Sequence, residues 1–286
     1  MQIPCGKCLG CRLERSRQWA IRCVHEAQIQ EENGKHNCFI TLTYAPEYLP
    51  EDGGVHKRHF QLFMKKLRKA WPNDRIRYLH CGEYGEKFGR PHYHALLFGF
   101  NFPDRTEHTD KDGHPFWTSE DLTKTWGKGM CSIGELNFES AAYVCRYITK
   151  KLSEGITDES YNRWEEKYVQ KTTGAIRQEE YITMSRSPGI GQKWFEKYKS
   201  DVYPSDYIIL RGKKMRPPKY YDIELDKSDP DLYKLVKERR LSSIPEKTEL
   251  ETRTSNKAKE KQQKQFNTNC QKRSYENESK TNVCDL

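Results

Sequence analysis

Two histidines sit two residues apart in GRPHYHALLFGF, residues 89–100. The stretch reads as a β-strand, and successive strand side chains alternate faces, so His92 and His94 point the same way. Two imidazoles side by side can hold one divalent ion. Glu83 ends a second strand-like stretch, RIRYLHCGE (75–83). If the two stretches pair as a hairpin, its carboxylate approaches the histidines. Two imidazoles and a carboxylate with open positions suit Mg²⁺ or Mn²⁺ on a phosphate substrate. Zn²⁺ is chemically sensible with the same trio. Glu86 competes for the third position, and so does His80 on the neighbouring strand. The same short spacing also occurs in structural histidines at a sheet edge.

A metal that polarises a phosphate still needs a nucleophile. FESAAYVCRYITKKL (138–152) reads as a helix. Wound at the helical period, it gathers Phe138, Ala141, Cys145, Ile148 and Leu152 on one side, which is expected to pack on a sheet. Tyr143, Tyr147, Lys150 and Lys151 fall on the opposite side, edged by Arg146. The two phenols are four residues apart and lie one above the other. A phenol with a pKa of about 10 is a modest nucleophile and a good leaving group. A phosphotyrosine ester therefore keeps much of the reactivity of the phosphodiester it replaced, and a 3′-hydroxyl can attack it and reseal the strand. Two phenols allow one to hold a first 5′ end while the other attacks the next junction. An ordinary amphipathic surface helix would carry tyrosines and lysines without this use.

These groups need a scaffold. The pattern predicts a basic helix over 12–32, a strand at 37–44 and an amphipathic helix at 57–70. The strands at 75–83 and 91–98 follow, then a polar insertion, 101–128, with one short helix. A strand at 131–137 precedes the tyrosine helix. A Pro-Gly turn and a short helix follow near 188–203, then a strand at the start of 206–221. Helices alternating with hairpin-like strands suggest an α+β domain with an antiparallel sheet. One domain is expected over 1–225, with a Cys-rich N-terminus at 1–12. The charged remainder, 226–286, is expected to be disordered or loosely helical.

The 286 residues carry a formal charge of +9 and are 35% hydrophobic, enough for a core and favourable to an anionic partner, nucleic acid above all. No apolar run is long enough to span a membrane, and none reads as a signal peptide. The expectation is a protein of a reducing cytoplasm, so the ten cysteines are not read as a disulfide framework. Cys5, Cys8 and Cys11, in CGKCLGC, could hold a structural Zn²⁺ with a fourth ligand from Cys23, His25, His36 or Cys38; three reduced thiols are the alternative. Arg12, Arg15, Arg17 and Arg22, with Lys213, Lys214 and Arg216, are candidate phosphate contacts. Trp19 and Trp194 are candidates for stacking on unpaired bases.

The stretches PCGKCLGCRLERSRQWAIRC, FITLTY, CGEYGEKFGRPHYHALLF, FESAAYVCRYITKK, TMSRSPGIG and IILRGKKMRPPKYYD span about residues 4–222. Together they resemble the HUH-superfamily endonucleases of rolling-circle replication, and more narrowly the replication initiators of the gokushovirus branch of the microviruses. Tyr93 departs from the family's habit of an aliphatic residue between the two histidines. The resemblance implies a five-stranded antiparallel sheet flanked by helices, a ferredoxin- or RRM-like palm. It implies metal binding at His92 and His94, with Glu83 third by position, and nucleophiles at Tyr143 and Tyr147. Lys150 would steady the phosphate or tyrosinate, and Arg146 and Lys151 would contact DNA. The implied activity is nicking of single-stranded DNA at a phage origin in the host bacterial cytoplasm. It leaves a 5′-phosphotyrosyl end and a 3′-hydroxyl for host polymerase and helicase, with later rejoining. A zinc-stabilised, non-catalytic nucleic-acid binder and a plasmid-type relaxase are the alternatives.

Overall fold

The structure is a computed structural model that describes residues 9–85, 89–109, 115–150, 168–169 and 176–243, with positions 257, 258, 261 and 265; for 146–150 it describes the backbone. The chain divides into two compact units. One comprises Arg15–His108 and Pro115–Trp194; the other comprises Met1–Glu14, Thr109–His114 and Phe195–Leu286.

The first unit is built on an antiparallel sheet. Its strands are β1 (Cys38–Thr43), β2 (Arg77–Tyr84), β3 (Pro91–Phe98), β4 (Thr106–Thr109), β5 (Pro115–Thr118), β6 (Cys131–Gly134) and β7 (Tyr181–Met184). They lie in the order β4-β5-β6-β1-β3-β2-β7. The helices are α1 (Leu9–Glu32), α2 (Lys57–Ala70), α3 (Glu120–Trp126) and α4 (Phe138–Lys150).

The expected α+β class holds, and seven strands replace the expected five. The stretches at 37–44, 75–83, 91–98 and 131–137 form β1, β2, β3 and β6. The insertion expected to be a surface loop with a helix contributes β4 and β5 as well as α3. These two strands are short and border polar turns, so they show little alternation to read. β7 follows a charged stretch and carries only four residues.

Alternation places two cores on two faces of the sheet. On one face Ile40, Leu42, Tyr44, Tyr93 and Ala95 meet Phe60, Phe63, Met64 and Leu67 of α2. Those four recur at helical spacing, and burying each is worth about 1.5–3 kcal/mol. On the other face Leu79, Cys81, Leu96 and Phe98 meet Ala20, Cys23 and Ala27 of α1 and Ala141, Val144 and Cys145 of α4. A buried ion pair, Arg77 Nε to Glu26 Oε1 at 2.8 Å, ties α1 to β2. α3 starts at a Ser119 cap that accepts from the Leu122 N–H, and ends at Gly127, whose φ of 60° is the left-handed stop that glycine tolerates.

In the second unit β8 (Ile208–Leu210) pairs with β9 (Lys213–Met215) in a separate ribbon. The helix α5 (Gln192–Val202) precedes it in the chain. Two more helices follow, α6 (Lys219–Ser228) and α7 (Pro230–Ser242). Arg240 of α7 donates at 2.7 Å to both Asp206 and Asp222, and the Tyr203 hydroxyl donates to Asp222 at 2.7 Å. The expected boundary at 225 thus falls inside α6, and regular helix continues to Ser242. Among the described residues no helix is long and apolar enough to cross a membrane.

Candidate metal centre and nucleophile helix

Antiparallel register puts Glu83 of β2 directly opposite His92 of β3, and Cys81 opposite His94. Directly opposed side chains on one face stand within contact distance. Glu83 Oε1 lies 2.8 Å from His92 Nε2 and 2.7 Å from His94 Nε2. Each imidazole is oriented from behind. His92 Nδ1 is 3.0 Å from the Arg90 carbonyl, which can only accept, so this ring nitrogen carries the proton and Nε2 presents a lone pair. His94 Nδ1 is 3.0 Å from the Thr41 hydroxyl of β1. Such outer contacts fix the tautomer of a ligating histidine.

The electrostatics fit a cation. Glu83 is 1% exposed, and its Oε2 has no hydrogen-bond partner. Burial raises the Glu83 carboxyl, but contacts from His92 and His94 outweigh it and hold the group down at about 2. For His92 burial opposes protonation, and hydrogen bonding to Glu83 reverses this and raises its pKa. Burial dominates at His94, which is lowered. An ionised, buried carboxylate facing two imidazoles with an orphaned oxygen is a donor set awaiting positive charge. One ligand atom from each of the three lies within 4.8 Å of the others, and among the described residues this is the group of three or more that could share an ion.

α4 brings the phenol. The Tyr143 hydroxyl donates to Glu83 Oε1 at 3.2 Å, and its ring stands edge-on to His94 at 5.1 Å between centroids. The expectation of phenols on the side away from the sheet is corrected here: Tyr143 flanks the packed stripe. Val144, about 100° away on the helix, sits in the core beside Ala141 and Cys145. Small residues let α4 approach the sheet closely, and the long tyrosine reaches across the margin. Tyr147 and Lys150 lie further along the α4 backbone; the side chains of 146–150 are outside the described residues, as are Lys151 and Glu86.

The remaining expected positions disperse. His80 faces the other side of the sheet, stacked on Phe60 with centroids 3.5 Å apart, its Nδ1 bonded to the Thr183 hydroxyl. Arg22 is buried, donates to the Ile190 carbonyl and stacks over Trp19, so its guanidinium serves packing. Arg15 is exposed, and Arg12 and Arg17 are half-buried. Lys213 and Lys214 are exposed on β9, with Lys214 over the Tyr207 ring. Trp194 stacks on His25 and bonds to Gln28. Cys5 and Cys8 lie outside the described residues; Cys11 is half-buried, and Cys23 is buried against Cys145. Two contributors escaped the sequence reading. Thr41 shares the histidine face through the alternation of FITLT, which becomes legible once β1 is paired with β3. Glu180, a buried carboxylate whose charge supports protonation of His92, lies in a charged stretch with no period.

Residues 37–152, which hold the triad and α4, match the model of the replication-associated protein ORF2 family. Replication-associated protein ORF2 of Spiroplasma virus 4 is 35% identical over 83% of this chain and 72% of its own length. The chain belongs to this family of replication-associated proteins. Replication-associated protein VP4 of Bdellovibrio phage phiMH2K is 34% identical over 80% of this chain and 69% of its own. Replication-associated protein ORF4 of Chlamydia phage 1 is 27% identical over 84% and 59%. No solved structure matches. The family resemblance drawn from the sequence, to phage replication proteins of the microvirus type, therefore holds.

Proposed function

We propose that this replication-associated protein initiates phage DNA replication by nicking single-stranded DNA at the origin through a tyrosine nucleophile. The observation that carries the reading is the hydrogen bond of Tyr143 to Glu83, in contact with both imidazoles. Glu83, His92 and His94 would hold Mg²⁺ or Mn²⁺. A hard cation there neutralises charge on a bridging or non-bridging phosphate oxygen. The chain's own groups do the rest. Tyr143 oxygen forms a bond to phosphorus, the bond from phosphorus to the 3′ oxygen breaks, and the DNA keeps a 5′-phosphotyrosyl link. The phenolic proton leaves in the direction of Glu83 Oε1, and the departing 3′ oxygen takes up a proton. A free 3′-hydroxyl remains for a host polymerase, with a host helicase opening the duplex ahead. Tyr147 serves the second transfer, and Lys150 offsets charge on the transferred phosphate. Reversal of the first step rejoins strands.

Arg12, Arg15, Arg17, Arg146, Lys151, Lys213 and Lys214 supply phosphate contacts in this reading. The cysteines of the N-terminus would hold a structural Zn²⁺. The test is a labelled single-stranded origin oligonucleotide incubated with Mn²⁺. A covalent adduct surviving a denaturing gel is expected with the native chain and lost in the Tyr143→Phe/Tyr147→Phe double variant. An adduct that persists in the double variant assigns the chemistry to another residue, and a salt-sensitive shift with no adduct reduces the protein to a binder.

A further inference from the structure

The end of β2 remote from Glu83 opens into a concavity of about 470 Å³, lined among others by Arg68, Arg75, Arg77, Ser185 and Ser187. Arg77 precedes Glu83 by six residues on β2 and therefore shares its face, roughly 20 Å away along an extended strand. The charges around the concavity do not balance. Arg77 is matched by Glu26, and Asp74 is matched by Lys35 at 2.8 Å. Arg68 gives one N–H to the Ile76 carbonyl and lies over the Tyr78 ring, with no carboxylate against it among the described residues. Arg75 is exposed and has no hydrogen-bond or ion-pair partner among the described residues. The Ser185 hydroxyl accepts from the Tyr78 N–H, which leaves its own proton to donate outward. Arg68 belongs to α2, KRHFQLFMKKLRKA, which carries six lysines and arginines and no acid.

Two uncompensated guanidiniums and two hydroxyls around one hollow are the donor set for a phosphate: forked N–H pairs and single O–H donors, with positive charge in excess. We propose that this concavity is a second phosphodiester subsite, gripping the backbone of the DNA strand whose scissile linkage lies at the triad. The proposal rests on the nicking reading for that second location. Its consequence is a ruler. Strands that reach only the triad bind without it, and strands that extend roughly 20 Å further gain a contact.

The experiment measures binding of two single-stranded oligonucleotides over a range of salt. One is too short to span from triad to concavity and the other is long enough. Arg75→Ala is expected to weaken the long strand on the order of threefold and to lower the slope of log affinity against log salt by about one. The short strand should keep its affinity, and Arg75→Lys should restore most of the long-strand slope. Equal affinity and slope for the long strand in native and Arg75→Ala protein would overturn the proposal, as would an equal loss on both lengths. Arg75-dependent binding of inorganic phosphate with an unchanged DNA slope would make the hollow a small-anion site and also overturn it. The adduct assay separates the two claims. An adduct with an Arg75-independent slope removes the subsite and keeps the nuclease. A length-dependent Arg75 effect with no adduct keeps the subsite and removes the nuclease.

Discussion

Glu83 is the residue on which the centre turns, because it touches both histidines and the phenol through one oxygen, Oε1. Held at about 2, it stays ionised throughout the working range of any enzyme. His92 is the titrating ligand. Its pKa is raised, so in falling pH it takes a proton before an unperturbed histidine would, and a protonated imidazole cannot ligate. Mn²⁺ affinity, read by calorimetry or by the loss of free-ion EPR signal, is therefore expected to rise as pH climbs through and above about 6.5. Affinity that is flat from acid to neutral pH would remove His92 from the ligand set. Thr41 has no contact with a cation in this scheme; it orients His94 through Nδ1 at 3.0 Å. Thr41→Val should lower Mn²⁺ affinity about 10- to 100-fold at unchanged fold, the range for loss of an outer orienting contact. Thr41→Ser should recover most of it.

At the scale of elements, β3 does two jobs on two faces. Between the ligands His92 and His94, Tyr93 points the other way, is fully buried, and bonds through its hydroxyl to Tyr44 at 2.6 Å and to the His56 N–H at 2.8 Å. It also donates to the His56 carbonyl at 3.0 Å, immediately before α2 begins. The departure from an aliphatic residue at this position thus has a structural use: it pins the start of α2. Tyr93→Phe keeps the ring and strips these bonds, so thermal or denaturant unfolding is expected to show a loss of about 1–3 kcal/mol. The adduct should still form at a temperature where the variant is folded. Much of this scale could be read in advance. His92, His94 and Glu83 follow from period-two alternation and one hairpin, and α2 and α4 from apolar spacing. β4, β5 and β7 could not be read, because four-residue strands beside polar turns offer too few alternations. The placing of Tyr143 beside the packed stripe depends on how low α4 sits, which is a packing outcome.

For the whole molecule, buried histidines set the response to acid. His25 and His80 are both driven down to about 3, chiefly by burial. In the unfolded chain each takes up its proton near 6.5, so the unfolded state binds more protons between about 3 and 6.5. Their contribution is complete above about 6.5 and is lost as pH falls towards 3, on the order of a few kcal/mol each. Glu83 acts in the same sense at lower pH, and the raised His92 acts in the opposite sense. Three groups outnumber one, so the denaturant midpoint should fall steadily from about pH 7 to about pH 4. A midpoint constant over that window would show that these imidazoles are protonated without cost.

The seat of α4 carries one more consequence. Alanine, valine and cysteine form its underside, against Leu79, Cys81 and Leu96. The bulk of those side chains fixes how high the helix rides, and with it the reach of the phenol. Reactivity can therefore be tuned from beneath, by a methyl group added or taken away where no substrate ever comes.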